Sequence, residues 1–259
     1  MASYAGRGVH GEVVQRLGAR VVTGDFAEGD ILDVRALGEE LDVSLTVMRE
    51  ALKVLAGKGL IDARQKRGTF VRPRSAWNLL DADVIRWRMA GGDGRRLMRD
   101  LTDIRAVVEP AAAHRAALRR TDAHLTELET ALAAMERARG DLAAEAEADA
   151  AFHRALLAAT GNELLARLEL ILEPGLRERD RLVHAHGDAD DPVPSHRRVL
   201  EAIRDRDAPG AELAMLDLLA KAAEDVDRAA PARPDAEGVR APAVPAVPAV
   251  SAVPQAIQP

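Results

Sequence analysis

VRALGEELDVSLTVMREALKVLAGKGLIDARQKRGTFVR, residues 34–72, combines two short apolar periods with a glycine-punctuated basic segment. Leu37 and Leu41, four apart, mark one face of a short helix. Asp42-Val43-Ser44 then breaks the pattern, and Ser44 is of the type that N-caps a following helix. That second helix begins near Thr46, with Val47, Ala51, Val54 and Leu55 as its inward stripe and Thr46, Arg49, Glu50 and Lys53 on the other side. Gly57 and Gly59 end it. Residues 61–64 and 69–72 are short strand candidates joined by Gln65-Lys66-Arg67-Gly68, whose glycine supplies a tight turn. Two short helices, a sharp turn and a two-stranded wing are the layout of a winged helix-turn-helix.

Charge sharpens this reading. From Arg49 to Arg74 there are eight basic residues against only Glu50 and Asp62, on a chain that is acidic overall. A helix N-terminus carrying Ser, Thr and Arg enters a major groove, where Arg reads guanine edges, while a basic turn grips flanking phosphates or the minor groove. The plainer alternative is a small helical subdomain with a solvated basic face. Residues 1–74 hold 12 basic and 10 acidic side chains and the remainder 24 and 32, so only the first part suits a phosphate backbone.

Outward from this stretch, residues 9–22 form an amphipathic helix through Val9, Val13, Leu17, Ala19 and Val21, ended by Thr23-Gly24 and expected to pack as the third helix of the domain. Pro73 closes the wing, and residues 75–94 read as a connector holding both tryptophans, Trp77 and Trp87, with packing roles. Beyond it the chain is helical by period. Helices are expected over 95–119 (with Pro110 as a kink), from Thr121 to residue 139, over 141–160, over 163–184 with a bend at Pro174-Gly175, over 195–206 and over 209–228, with a polar loop at 186–194. They make an antiparallel bundle over 95–229, so the fold is mainly α: a winged helix-turn-helix followed by an all-helical domain. From 230 to 259 Ala-Pro-Val repeats cannot build a core and read as a disordered tail. The 259 residues suffice for these two domains. No cysteine is present, no apolar run approaches a membrane span and no signal-peptide order is seen, so a cytoplasmic protein is expected.

The bundle carries a second constellation. Asp149 and His153 lie four apart and so share one helix face, and His196 sits near the start of a later helix able to pack against them. A carboxylate and two imidazoles suit Zn²⁺, Ni²⁺, Mn²⁺ or Fe²⁺ with positions left open. An ordinary surface ion pair and an unrelated histidine explain the same residues.

Leu32 to Val71, with Val43-Ser44, Met48-Arg49-Glu50-Ala51-Leu52, Leu55, Gly59-Leu60-Ile61 and Gly68-Thr69-Phe70-Val71, resembles the N-terminal domain of the GntR superfamily of bacterial transcription factors. The resemblance implies DNA contacts from Arg35, Ser44, Thr46 and Arg49, and from Lys66, Arg67, Gly68 and Thr69 in the wing. It implies an operator of inverted-repeat form bound by a homodimer. One position departs, Leu45, where the family has Arg. Residues 95–228 resemble the helical C-terminal domain, the FCD domain, of the FadR-type branch. There the resemblance implies a divalent metal on Asp149, His153 and His196, with the family's fourth ligand replaced by Leu218 and the adjacent Asp217 pointing about 100° away. It also implies an organic-acid effector met by Arg105 and Glu109, with Asn162 completing the candidate effector set. Trp77 to Val84, Trp87 and Arg-Ala-Val-Val-Glu-Pro at 105–110 are similar to repressors of sugar-acid catabolism, galactonate-responsive ones especially.

Three function classes remain at this level. A ligand-responsive DNA-binding repressor explains both constellations and the charge split. A metal-dependent enzyme explains only the Asp/His/His set, and no further general base is placed by motif. A DNA-architectural protein leaves the histidines without a purpose.

Overall fold

The computed structural model describes residues 8–184 and 191–229. The expected tail at 230–259 and most of the expected loop at 186–194 lie outside these residues.

Helix α1 (Val9–Thr23) buries Val13, Val14, Leu17 and Val21 and closes on Gly24 in the left-handed region. Val9, expected inward, is 58% exposed because it opens the helix beyond the reach of its partners. Helix α2 (Val34–Glu40) is capped by the Asp33 carboxylate, which accepts from the backbone of Arg35 and Ala36. In helix α3 (Leu45–Gly57) the Ser44 hydroxyl accepts from Val47 N at 3.3 Å, the cap anticipated from sequence. The buried stripe of α3 is Met48, Ala51, Leu52 and Leu55, whereas Val47 and Val54 stand at its edge, only partly covered. The expected stripe was thus rotated: α3 packs on α1 and α2 together, so its buried arc is centred between them.

Strand β2 (Ile61–Arg64) pairs antiparallel with β3 (Gly68–Val71), from Ile61 opposite Val71 to Arg64 opposite Gly68. The turn requires positive φ at Lys66 and Gly68, 67° and 83°, the second met at no steric cost by glycine. Strand β1 (Ile31–Leu32) adds to the other edge of β3 and makes β3 central; two residues are too few to show alternation in sequence.

Helix α4 (Ala82–Ala90), inside the expected connector, belongs to two cores. Val84 and Trp87 pack with the α1 and α3 side chains, while Ile85 packs with Leu97, Leu101, Leu157 and Leu172 of the bundle. The Trp87 ring lies so close to α1 that a Cβ on Gly18 would sit 2.3 Å from it. Its Nε1 donates to Gln15 at 2.8 Å, and Trp77 Nε1 donates to the Arg72 carbonyl, so both tryptophans pack at the junction. Beside them Lys58, which caps the C-terminus of α3, is buried with its Nζ 2.8 Å from Asp81 Oδ1 and 2.6 Å from Asp83 Oδ2. Asp81 is also the N-cap of α4, so one ammonium ties the end of α3 to the start of α4.

The bundle comprises α5 (Gly94–Arg119), α6 (Asp122–Ala138), α7 (Leu142–Ala159), α8 (Glu163–Arg167), α9 (Glu169–His184), α10 (Val193–Arg204) and α11 (Ala208–Ala229). Alanines 112, 113, 116 and 117 are fully buried on α5, which packs closely on α11. The helix expected over 163–184 divides at Leu168, and Pro174 falls inside the second piece. Pro174 stands near the start of α9, where its missing N–H removes a single bond. Helix α10 starts two residues earlier than expected, because Pro194 falls in its first turn, where a proline lacks nothing. Among the described residues no helix is long and apolar enough to cross a membrane.

Lys58→Met should destabilise the fold by about 3 to 5 kcal/mol, since it leaves the buried Asp81 carboxylate without its cation and Asp83 with Arg86 alone. Urea unfolding of this variant against the parent measures the loss, and an unchanged midpoint refutes the role assigned to Lys58.

Candidate functional site

In the winged domain Arg35, Ser44 and Leu45 line one surface groove where α2 meets the start of α3. Thr46 and Arg49 are exposed on the same end of α3. In the wing Lys66 and Arg67 are exposed, and the Arg67 guanidinium lies 3.7 Å above the centroid of Phe70, which fixes its direction. Gly68 is exposed and Thr69 half-buried beside them. Leu45, 39% exposed, offers this surface a methyl group where a guanidinium was expected.

The second constellation lies deep in the bundle. Asp149 and His153 come from α7 and His196 from the first turn of α10, all nearly fully buried, with candidate ligand atoms within 4.8 Å of one another. The protons of both imidazoles can be placed from their neighbours. His196 Nδ1 is 2.9 Å from the Pro192 carbonyl, which only accepts, so Nδ1 carries a proton and Nε2 is bare when the ring is neutral. His153 Nε2 is 3.2 Å from Arg105 Nη2, which only donates, so the proton of this ring sits on Nδ1, 3.0 Å from Glu109 Oε2. Asp149 Oδ1 lies 3.1 Å from His196 Nε2 and 3.8 Å from His153 Nε2, whose lone pair is taken by Arg105.

Asp149 Oδ1, His196 Nε2 and His153 Nδ1 are buried with no aligned hydrogen-bond partner, the last in spite of lying 3.0 Å from Glu109 Oε2. Acceptors facing one another out of water need a cation between them, either an added proton or a metal ion. Three lone pairs from one carboxylate and two imidazoles are a donor set that divalent transition metals accept. Glu109 beside His153 Nδ1 supplies the carboxylate that commonly orients a ligating histidine. The residues present thus fit the group.

Burial alone would raise the Asp149 carboxyl, but Arg179 and the two imidazoles hold it well below the usual carboxylate range. Glu109 is likewise opposed by burial and pulled down to about 2 by Arg105 and His153. Arg179 on α9 would lose its proton more easily through burial, yet Asp149 and Asp180 push it up instead. Its guanidinium contacts Asp180 and lies 3.3 Å from Asp149 Oδ2.

A cavity of about 90 Å³ opens onto the cluster, lined by Asp149, His196, Arg179, Asp180 and Leu218 among others. Leu218 therefore faces the site without a donor, while Asp217 is exposed near Arg198. Arg105 and Glu109 meet the cluster through His153; they pair with each other at 2.7 Å and do not line the cavity. Asn162 is exposed and caps α8 through the backbone of Leu164 and Leu165, away from the cavity lining. Sequence reasoning did not single out Arg179 and Asp180. They lie in the charge run Arg177 to Arg181, whose composition alone reads as a solvated helix face.

Residues 10–71 match the model of bacterial regulatory proteins of the gntR family, and residues 100–221 match that of the FCD domain. The chain belongs to the GntR family and is a DNA-binding transcription regulator. It is 34% identical to the galactonate operon transcriptional repressor of Escherichia coli K12 over 211 residues, 80% of this chain and 92% of the relative. It is 32% identical to the regulator LutR of Bacillus subtilis 168, covering 76% and 91% of the two chains. Among solved structures, Lar of Listeria monocytogenes shares the fold, with a TM-score of 0.59 at 17% identity over 86% of this chain and 98% of that one.

Proposed function

We propose that this regulator is a repressor working in the cytoplasm as a homodimer, with one winged domain on each half of an inverted-repeat operator. Its operator affinity is set by a small organic acid, of the sugar-acid class, bound in the cavity of the helical domain beside a divalent metal ion. The observation that carries the ligand half of this reading is the buried cluster of Asp149, His153 and His196, whose candidate ligand atoms lie within 4.8 Å of one another. Likeness to the galactonate operon repressor supports the class of acid.

Asp149, His153 and His196 would hold the metal, with Leu218 leaving a position open. The ion, when bound, supplies positive charge that attracts a carboxylate or hydroxyl oxygen inside a largely apolar bundle. The lone pair of His153 serves one partner at a time, so ligation there and acceptance from Arg105 exclude each other. Arg105 and Glu109 act on the acid through His153, by holding the ring at its angle. On the DNA side, Arg49 and Thr46 reach base edges from the start of α3, Arg35 and Ser44 fix its register, and the wing residues Lys66, Arg67, Gly68 and Thr69 lie on the backbone.

Arg49→Ala should cost about 1 to 3 kcal/mol of operator affinity and relax specificity at one position. Lys66→Ala should weaken binding to every sequence alike and flatten the salt dependence by about one unit of slope. Titration of labelled operator and scrambled duplexes at several salt concentrations separates the two; intact operator affinity in Arg49→Ala sinks this placement of the recognition helix.

His153→Ala should purify without metal where the parent retains it, and Leu218→His should raise metal affinity by adding a fourth donor. Elemental analysis after mild dialysis reads both. Equal, negligible metal in parent and His153→Ala, with an unchanged response to acid, would show that the cluster is an ion pair.

A further inference from the structure

Of the valines, leucines and methionine at residues 34–48, all but Leu45 pack in the core of the winged domain or along its margin. Leu45 opens α3, immediately after the Ser44 cap, and is 39% exposed. Its side chain stands at the end of α3 that also exposes Thr46 and Arg49. An aliphatic group held in water there is stabilised when a second surface covers it.

The neighbours of Leu45 say which surface that is. It shares its groove with Arg35, and Arg49 stands four residues on, along the same face of α3. Among the described residues neither guanidinium is in an ion pair, whereas Lys53, one turn further, is held by Glu50 at 2.7 Å. Two uncompensated cations flanking the leucine draw a polyanion to it. Glu39 and Asp42 line the same groove and repel a phosphate from Leu45 itself. Between its phosphates a duplex presents base edges, and the one apolar group on a major-groove edge is the C5 methyl of thymine.

We propose that Leu45 is a specificity-determining residue, which reads the C5 methyl group of a thymine in the operator's major groove. This rests on the placement of α3 in that groove given above and adds a base to it. Residues four apart are separated by about 6 Å along a helix, and successive base pairs by about 3.4 Å. The thymine therefore lies within about two base pairs of the base met by Arg49. Cytosine at that place lacks the methyl, and a purine offers only polar groups, so the leucine selects against all three other bases.

The test starts from the full-length chain and a pool of duplexes with a randomised core, from which its operator is selected. Each thymine of that operator is then replaced, in both half-sites, by deoxyuridine, which removes the methyl and leaves every hydrogen-bonding group in place. At one position the parent should lose about 3- to 10-fold in affinity per half-site. In Leu45→Ala the same replacement should cost less than about 2-fold, while thymines met by other residues keep their effect. A repeat selection with Leu45→Arg should turn the preference at or beside that base pair from thymine to guanine. Selected half-sites without thymine, or a deoxyuridine scan of the parent with no loss at any position, overturn the proposal and leave the placement of α3 standing. So does a loss that persists undiminished at every position in Leu45→Ala. The scan of the parent needs no substituted protein, so its outcome decides even if a variant does not fold. A parent that enriches no sequence defeats the placement of α3 and the proposal with it.

Discussion

Three acceptors forced together out of water set the chemistry of the helical domain. The Pro192 carbonyl commits the proton of His196 to Nδ1, and Arg105 with Glu109 commits that of His153 to its own Nδ1. What remains is His196 Nε2 against Asp149 Oδ1, with His153 Nε2 shared between that oxygen and Arg105, an arrangement of acceptors that a cation, proton or metal, relieves. The surrounding pieces answer that constraint. Glu109 and Arg105 on α5 fix one ring, the first turn of α10 fixes the other, and Arg179 on α9 draws off the outer oxygen of Asp149. Four helices are thereby pinned around one point, which is how a small ligand gains leverage over a bundle.

That leverage has a continuous physical route to the DNA surface. Helix α9, bearing Arg179, packs on α4. The start of α4 holds Lys58 through Asp81 and Asp83, and Lys58 ends the helix that carries Arg49. Because Trp87 is wedged against Gly18, α4 cannot shift toward α1 independently, and a displacement of α4 carries the winged domain with it.

Much of this was legible in the sequence where the signal is local. The Ser44 cap, the strand pair with its glycine turn and the four-residue spacing of Asp149 and His153 depend on neighbours in the chain, and the structure places each as expected. What escaped depends on partners far away. Nothing near Arg179 or Asp180 tells that their helix turns inward, since Asp149 lies 30 residues earlier. Lys58 looks like one more basic residue of the DNA-binding stretch until its partners 23 and 25 positions on are seen to bury it. For Arg105 and Glu109, position along α5 does not reveal that both turn to His153 and away from the cavity.

The double membership of α4 also bears on how regulators of this build exchange their halves. A recombination joint placed just after the wing, at residue 74, would look clean in sequence. It would nevertheless give Lys58 a foreign α4 without its two aspartates, and leave Gly18 facing whatever replaced Trp87. A graft that travels intact has to carry α4 with the DNA-binding half and be matched afresh at Ile85, where that helix enters the other core. Inheritance of a new ligand specificity by an old DNA reader is thus limited by the fit of one nine-residue helix, more than by either domain it joins.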